Sequence, residues 1–494
     1  MRTIALPASR RRTMFAACVA TIVLATLQLC GFTRTVQAET VVCNNAPLPQ
    51  QAIRLGGPSH SPSQPDLLVN GPCGVPPGVY YFGNVNIVDG GRITFQERSY
   101  SRTQFWAGAI IVENGGALTA GSAAAPFGVQ GGSVTIVLYG ADKSHGDPDH
   151  NPGQGAPCRS PLDPMRDVGP CGIPLSLWNA RDTADGADPS GGAAPHSVHY
   201  EPLPGDGAAG PFGSGYFGSK VLAVSYGGTL ALFGAKGVDR GGASDQEQTA
   251  PGLGWVHLAE GAPPDQGATQ ISLDRAVQGN WMPGDEVVLT ATDGQPKHAE
   301  ELTIDSINGA TVVFHRTSCG VDADGEGCPG LQWSHHVAPV PVDEGSVDTQ
   351  PGPRPDAVSA AAVALLTRSI AVVAGGDAPG QSFEAAAALN PGYSFGGHTI
   401  VRQGFRAWRV QGVAFYRLGQ DSRRDHYPIN FYLSGPMPAD TFVKDSILRD
   451  TMSSWYQPHA IMGVGLQRLA RYRAIGHDYL TECTYVAGYA DCQQ

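Results

Sequence analysis

Charge is scarce in this chain. Only 15% of its 494 residues are Asp, Glu, Lys or Arg, against about a quarter in an ordinary soluble domain. That argues against long surface helices, whose outer faces are normally charged. Helical periodicity is scarce as well: only "SAAAVALL" and "SFEAAAALN" read as helical, the second ending at Asn390-Pro391-Gly392. No Cys-x-x-Cys pair occurs, which argues against a cysteine zinc site. After residue 38 no stretch is apolar enough to cross a bilayer. Positive charge is in deficit, with a formal net charge of −12, and this argues against nucleic acid as a partner.

What is abundant is Gly, at 65 residues, together with 39 Pro. Many glycines and prolines between apolar, β-branched runs suit short strands joined by tight turns. Arg2 and Arg10 to Arg12 form a basic head, Met14 to Leu29 an apolar run, and Val36-Gln37-Ala38 a cleavage signature, so residues 1–38 read as a secretory signal peptide. Arg11-Arg12 followed by Thr13-Met14-Phe15 also has a faint twin-arginine look. The expected mature chain is secreted, periplasmic or otherwise extracytoplasmic, and free of the membrane once the signal is cleaved. Its cysteines, at 43, 73, 158, 171, 319, 328, 483 and 492, are even in number and suit disulfides in an oxidising compartment. Neighbour pairing is expected: Cys158–Cys171, Cys319–Cys328 and Cys483–Cys492, leaving Cys43 with Cys73.

The basic residues cluster. Residues 395–475 hold eleven Lys/Arg against five Asp/Glu, while the rest of the expected mature chain is strongly acidic. Along the chain, residues 39–63 read as a polar leader and 64–140 as short strands bounded by Gly or Asn turns. Residues 141–215 form a long loop-like tract holding two cysteines, and 216–494 are again rich in strands. A recurrent form is an apolar strand, a Gly-Gly or Asn-Gly turn, and another apolar strand. "IIVENGGALTAG" and "LAVSYGGTLALFG" share it, which fits either stacked hairpins of a sandwich or successive coils of a solenoid. Toward the C-terminus, "HTIVRQG", "AWRVQGVAFYRLG", "INFYLSG" and "TFVKDSILRDT" favour a parallel β-helix.

"AGAIIVENGGALTAGSAAAPFGVQGGSVTIVLYG" (107–140) resembles the eight-glycine domain of a family of secreted and membrane hyaluronidases. The carrying residues are Ile111-Val112, Gly115-Gly116-Ala117-Leu118, Gly121, Pro126-Phe127 and Leu138-Tyr139-Gly140. The likeness continues in order through "NWMPGDEVVLTAT", "HAEELTIDSI", "FGGHTI", "LGQDSRRDHYPINFYLSG", "VKDSILRDTMSSWYQPHAIMGV" and "AIGHDYLTE". It implies an all-β protein, with an N-terminal eight-glycine β module followed by a right-handed single-stranded parallel β-helix. It also implies binding or depolymerising of hyaluronan. The chain departs from the family where Tyr-Pro-Ile-His-aromatic-His is usual: here Tyr427-Pro428-Ile429-Asn430-Phe431-Tyr432 lacks both histidines. His459, His477 and Glu482 match family positions, but Cys483 replaces the Asp that normally follows. Twelve residues after Glu482 the sequence stops, as a truncated paralogue would.

Hydrolysis of a glycan needs a proton donor and, unless the substrate's acetamido group serves as nucleophile, a second carboxylate. A uronate polymer also calls for cations and aromatic platforms. Asp425, Asp478 and Glu482 are candidate acids, with His459 and His477 to position them or carry protons. Arg423 and Arg424 are candidates to hold substrate carboxylates, with His398, Tyr427, Asn430, Tyr432 and Trp455 beside them. Asn430 to His459 is 29 residues and His459 to His477 is 18, near one coil each, so these positions are expected to stack on one flank. The bland alternatives are a solvated turn at 423–426 and structural histidines at 459 and 477. His335-His336 and Asp149-His150 are read as loop residues without a role. No metal site is assigned and the cofactor is unknown: Asp322-Ala323-Asp324-Gly325-Glu326 resembles part of a calcium loop, and a row of histidines could also hold a transition metal. The enzyme reading is an exported, endo-acting hyaluronidase-like glycoside hydrolase. The alternative is a non-catalytic polysaccharide-binding or surface structural protein. Oligomeric state is not legible.

Overall fold

The repeated Gly-Gly pieces stack on one another. Strand Arg102–Val112 pairs in parallel with Val221–Val224, placing Ile111 beside Ala223, and Ala117–Ala120 pairs in parallel with Thr229–Phe233. The two similar segments are therefore consecutive coils of a solenoid and not hairpins of a sandwich. A computed structural model describes residues 40–50, 64–141, 220–225, 227–238, 254–277, 281–293, 295–317, 330–340, 357–401, 404–421, 426–454, 456–462 and 464–474.

The solenoid has three faces. The first includes Asp66–Val69, Val221–Val224, His398–Val401, Ile429–Pro436 and Tyr456–Met462. A separate eight-stranded parallel sheet forms the second, running from Ala46–Pro47 to Gly465–Gln467. On the third lie Ser133–Leu138, Ile370–Ala374, Val413–Tyr416, Ile447–Thr451 and Ala470–Ala474. Two long strands, Gly78–Ile87 and Arg102–Val112, bend at Gly83 and Gly108 and serve the third face with one half and the first with the other. This is the right-handed parallel β-helix expected. The strands of the eight-glycine region belong to the same continuous solenoid.

Stacked side chains fill the interior. Val69, Ile87, Val112, Val224, Val401 and Phe431 are register partners down the first face, all 0% exposed. Tyr80, Phe105, Ile136, Val372, Phe415 and Leu448 do the same down the third. Each such side chain contributes about 1.5–3 kcal/mol by leaving water. Neighbouring coils approach too closely at the turns for a side chain: a Cβ on Gly116 would sit 2.0 Å from the Ile87 carbonyl oxygen, and one on Gly228 2.2 Å from that of Val112. Cys43 and Cys73 form a disulfide inside the first coils. The other eight cysteines, Asp149-His150 and the acidic stretch 322–326 lie outside the described residues.

Between strands Thr229–Phe233 and Ile370–Ala374 the chain makes a separate antiparallel module with six strands. Glu300–Asn308 and Thr311–Arg316 form its hairpin around Asn308-Gly309, and Trp281, Leu302 and Phe314 fill its own core. "SAAAVALL" is extended in this region and not helical: Ala362–Leu365 pairs with both Trp255–His257 and Glu286–Leu289. Pairing on two sides outweighs the alanine preference for helix. "SFEAAAALN" does form the helix Phe383–Leu389, with the Ser382 hydroxyl accepting from the Ala385 amide and Asn390 closing it. The module docks through Val288, Ala364 and Leu366 against Ala414 and Ile447 of the solenoid. Arg368, fully buried at the junction, donates to the Leu365, Thr367 and Asp445 carbonyls. Burial depresses its pKa to about 10, opposed by the nearby Asp445 and Asp285 carboxylates.

Candidate functional site: one corner of the solenoid

The long connections leave from one corner, where the third face turns into the first. The chain departs after Gly140 and returns at Lys220; it departs again after Ala374, makes the helix, and returns at His398; after Tyr416 it departs once more and returns at Ile429. Stacked backbone holds the corner: the Lys220 amide donates to Gly108, His398 to Lys220, and Thr399 to Tyr427. Loops borne by a rigid scaffold are where binding groups concentrate.

Two buried polar networks pin these connections together. Lys220 is 0% exposed, and its ammonium donates to the Gly375 carbonyl at 3.0 Å, the Phe395 carbonyl at 2.9 Å and the Tyr393 hydroxyl at 2.7 Å. The Tyr393 hydroxyl in turn donates to the Asp377 carboxylate at the surface. Lys220 Nζ also lies 4.9 Å from the centre of the Phe395 ring, within cation–π range. Alongside, the rings of His398 and His426 lie 4.4 Å apart, both buried. Gln420 donates to the Gly396 carbonyl and sits 3.3 Å from His398 Nδ1, while its amide donates to the His426 carbonyl. That last bond joins the residues on either side of 422–425, which lie outside the described residues. Asp421 joins this segment to the previous connection through the Ser394 carbonyl and hydroxyl.

The candidate residues fare differently. His398 and Asn430 are 0% exposed and Tyr427 is 9% exposed, so all three support the corner from below and do not present a surface to substrate. Register pairs Asn430 with Gln457 and Tyr432 with His459. The expected stacking of Asn430 on His459 is thus two residues out, because this coil step is 27 residues and not 29. Arg423, Arg424, Asp425, Trp455, His477, Asp478 and Glu482 lie outside the described residues, as do the side chains of Tyr432 and His459. The basic segment does not form one patch. Arg409 lies on the second face and pairs with Asp440, whereas Arg417 pairs with Glu384 of the helix and its guanidinium lies 4.4 Å from the Tyr416 ring centre. Trp408 is core and not a platform.

Sequence reasoning missed Lys220, Tyr393, Asp377, Gln420 and His426. One signal was available: Lys220 stands directly before the apolar run Val221–Val224, where a cation has no business unless something buried receives it. His335 is 0% exposed and held by the Thr290 carbonyl and the Glu300 carboxylate, so it is a buried structural residue of the antiparallel module and not an idle loop residue. Among the described residues no three His, Cys, Asp or Glu side chains converge as a metal site, and no described helix is long and apolar enough to cross a membrane.

Residues 79–158 match the G8 domain and residues 394–484 the CEMIP beta-helix. The resemblance is to the G8-domain family. The CEMIP beta-helix match begins at Ser394, beside Tyr393, and takes in Gln420, His426 and the stacked coils around them. Similar proteins include the cell migration-inducing and hyaluronan-binding proteins of Mus musculus, 26% identical over 44% of this chain, and of Homo sapiens, 25% identical over 44%. A G8 domain-containing protein of Dictyostelium discoideum is 25% identical over 54% of the chain. The matched stretches span only 14%, 14% and 15% of those relatives' own lengths.

Proposed function

We propose that this protein binds hyaluronan or a related uronate polysaccharide outside the cytoplasm, using the loops of the corner. The observation that carries the reading is the match of residues 394–484 to the CEMIP beta-helix, which takes in the basic sequence Arg423-Arg424-Asp425 and the bond between the flanking Gln420 and His426. Two similar proteins are named for binding hyaluronan, each aligning with 44% of this chain. Arg423 and Arg424 would meet the carboxylates of the polymer, since guanidinium groups pair with carboxylates in a two-pronged fashion. The basic, apolar leader at 1–38 and the Cys43–Cys73 disulfide support an extracytoplasmic location.

Hydrolysis is the finer reading. In it Asp425, Asp478 or Glu482 protonates the leaving oxygen, and His459 and His477 position the acid or carry protons. The non-catalytic alternative has an observation in its favour: Asn430 stands where the resemblance implies a histidine, and it is fully buried. The mature protein incubated with high-molecular-mass hyaluronan, with and without calcium, from acid to neutral pH, separates the two. Shortened polymer supports the enzyme, and His459→Ala and Glu482→Gln should then each abolish cutting with the fold intact. Retained binding without shortening leaves only the binding protein. An unsaturated, ultraviolet-absorbing product would instead mean elimination.

A further inference from the structure

The second face of the solenoid has an unusual charge pattern. Its eight strands contain no Asp or Glu, although the chain has 44 acidic residues against 32 Lys and Arg. They carry three cations, Arg92, Arg409 and Lys444. Register sets the outward positions in columns: Thr94, Thr119, Ala231, Arg409 and Phe442 occupy equivalent places on five successive coils. At about 4.8 Å per coil this column spans about 19 Å. Arg92 stands on the first of those coils and Lys444 on the last.

The groups on this face are available. Arg92 is exposed and Lys444 partly so, and neither makes an ion pair with a described residue. Lys444 Nζ lies 4.8 Å from the centre of the half-buried Phe442 ring, which packs edge-on against Phe233. The Thr94 and Thr119 hydroxyls lie 3.1 Å apart on adjacent coils. Arg409 is paired with Asp440 beside the strands, and Asp445, next to Lys444, is buried and paired with Arg468.

We propose that this face is a second binding track, distinct from the corner, for an extended anionic polysaccharide lying along the solenoid axis. A surface that repeats its groups once per coil suits a ligand that also repeats, and a sugar ring is comparable in length to one coil step. Arg409 is already paired with Asp440, so the two cations left on the face, Arg92 and Lys444, favour a polyanion over a neutral chain, and the acidic remainder of the molecule orients it toward this face. Phe442 gives one sugar an apolar platform while Lys444 meets a carboxylate. A protein partner is disfavoured because such an interface needs a broad apolar centre, which one half-buried ring does not supply. The inference rests on the polysaccharide reading above and extends it to a longer footprint.

The test measures affinity of the mature protein for high-molecular-mass hyaluronan and for a neutral glucan at low and raised salt. The variants are Lys444→Glu and Arg92→Glu, four coil steps apart, and Arg423→Ala/Arg424→Ala at the corner, each checked for unchanged melting. The track predicts that Lys444→Glu and Arg92→Glu each weaken hyaluronan binding on the order of tenfold, with a reduced salt dependence, and leave any neutral-glucan binding unchanged. If the wild type binds and only the corner variant weakens it, the track is wrong and the corner reading stands. If the wild type binds no uronate polymer, both fall together.

Discussion

Asp450 and Arg473 face each other on consecutive coils, 23 residues apart, with Arg473 Nη2 2.9 Å from Asp450 Oδ2 and Nε on the other oxygen. Asp445 and Arg468 repeat the arrangement at the neighbouring corner, again 23 residues apart. All four residues adopt left-handed backbone conformations, with φ between 47° and 50°. Two forked clamps thus fasten the last described coil to the one before it. Arg473 also reaches Glu301 of the antiparallel module, and Arg449 reaches Glu286, so one cluster of charges joins the coil, its neighbour and the inserted module.

The two clamps differ in depth, and that predicts unequal costs. Asp445 is 3% exposed, accepts from Gln411 and Arg468, and lies near the buried Arg368. Asp445→Asn should cost about 3 kcal/mol, because it removes a buried carboxylate paired with Arg468 and one of the two carboxylates near the buried Arg368. Asp450 faces an Arg473 side chain that is 47% exposed, so Asp450→Asn should cost roughly 1 kcal/mol or less. Denaturant unfolding of both variants checks the order, and equal losses would contradict it.

Tyr393 links a buried ammonium to the surface. Tyr393→Phe removes one of the described acceptors from Lys220 and should cost about 1–3 kcal/mol. Adding Lys220→Met should recover part of that loss, since the charge no longer needs solvation. A double-mutant cycle by thermal unfolding measures the coupling.

Glu113, at the turn beside Asp89, carries a pKa raised from about 4.5 to about 8, first by burial and then by the Asp89 charge. One of its carboxylate oxygens is buried without a hydrogen-bond partner. A carboxyl whose folded pKa is raised keeps its proton longer when folded than when unfolded. Its ionisation therefore erodes stability as pH climbs from about 4.5 to about 8 and adds nothing further above that. Glu113→Gln should flatten this decline and raise the melting temperature most at alkaline pH. Melting curves across pH decide it, and parallel curves for the two proteins would contradict the assignment.

Much of the solenoid was legible because its rule is local. Each coil needs an apolar strand followed by a glycine that lets the coils touch, and "IIVENGGALTAG" beside "LAVSYGGTLALFG" shows that rule twice. Separation along the chain misled where loops differ in length. Register at Ile429 to Tyr456 is set by a 27-residue step, so a 29-residue spacing does not stack Asn430 on His459. The extended form of Ala362–Leu365 was hidden because partners more than 70 residues away decide it. The corner was hidden for the same reason: Lys220 meets Tyr393 across 173 residues, and although a cation before the apolar run Val221–Val224 calls for a buried acceptor, nothing local names Tyr393.

The turn glycines offer a direct check on that rule. Gly228→Ala would drive its Cβ onto the Val112 and Ser225 carbonyl oxygens, at 2.2 and 2.6 Å. A destabilisation of about 1–3 kcal/mol is expected from such overpacking. Gly261→Ala, where no atom lies within 4 Å but φ is +79°, should cost about 1–2 kcal/mol through backbone strain alone. Chemical unfolding of the pair separates crowding from conformation, and a Gly228→Ala variant as stable as the wild type would contradict the close approach of the coils.

The most direct measurement is an equilibrium titration of the mature protein with high-molecular-mass hyaluronan, run beside the Arg423→Ala/Arg424→Ala variant. Saturable binding that weakens as salt rises and drops on the order of tenfold or more in the variant is the predicted result. Wild-type protein that ignores the polymer at low salt, or a variant that holds it as tightly as the wild type, would contradict the assignment of the corner.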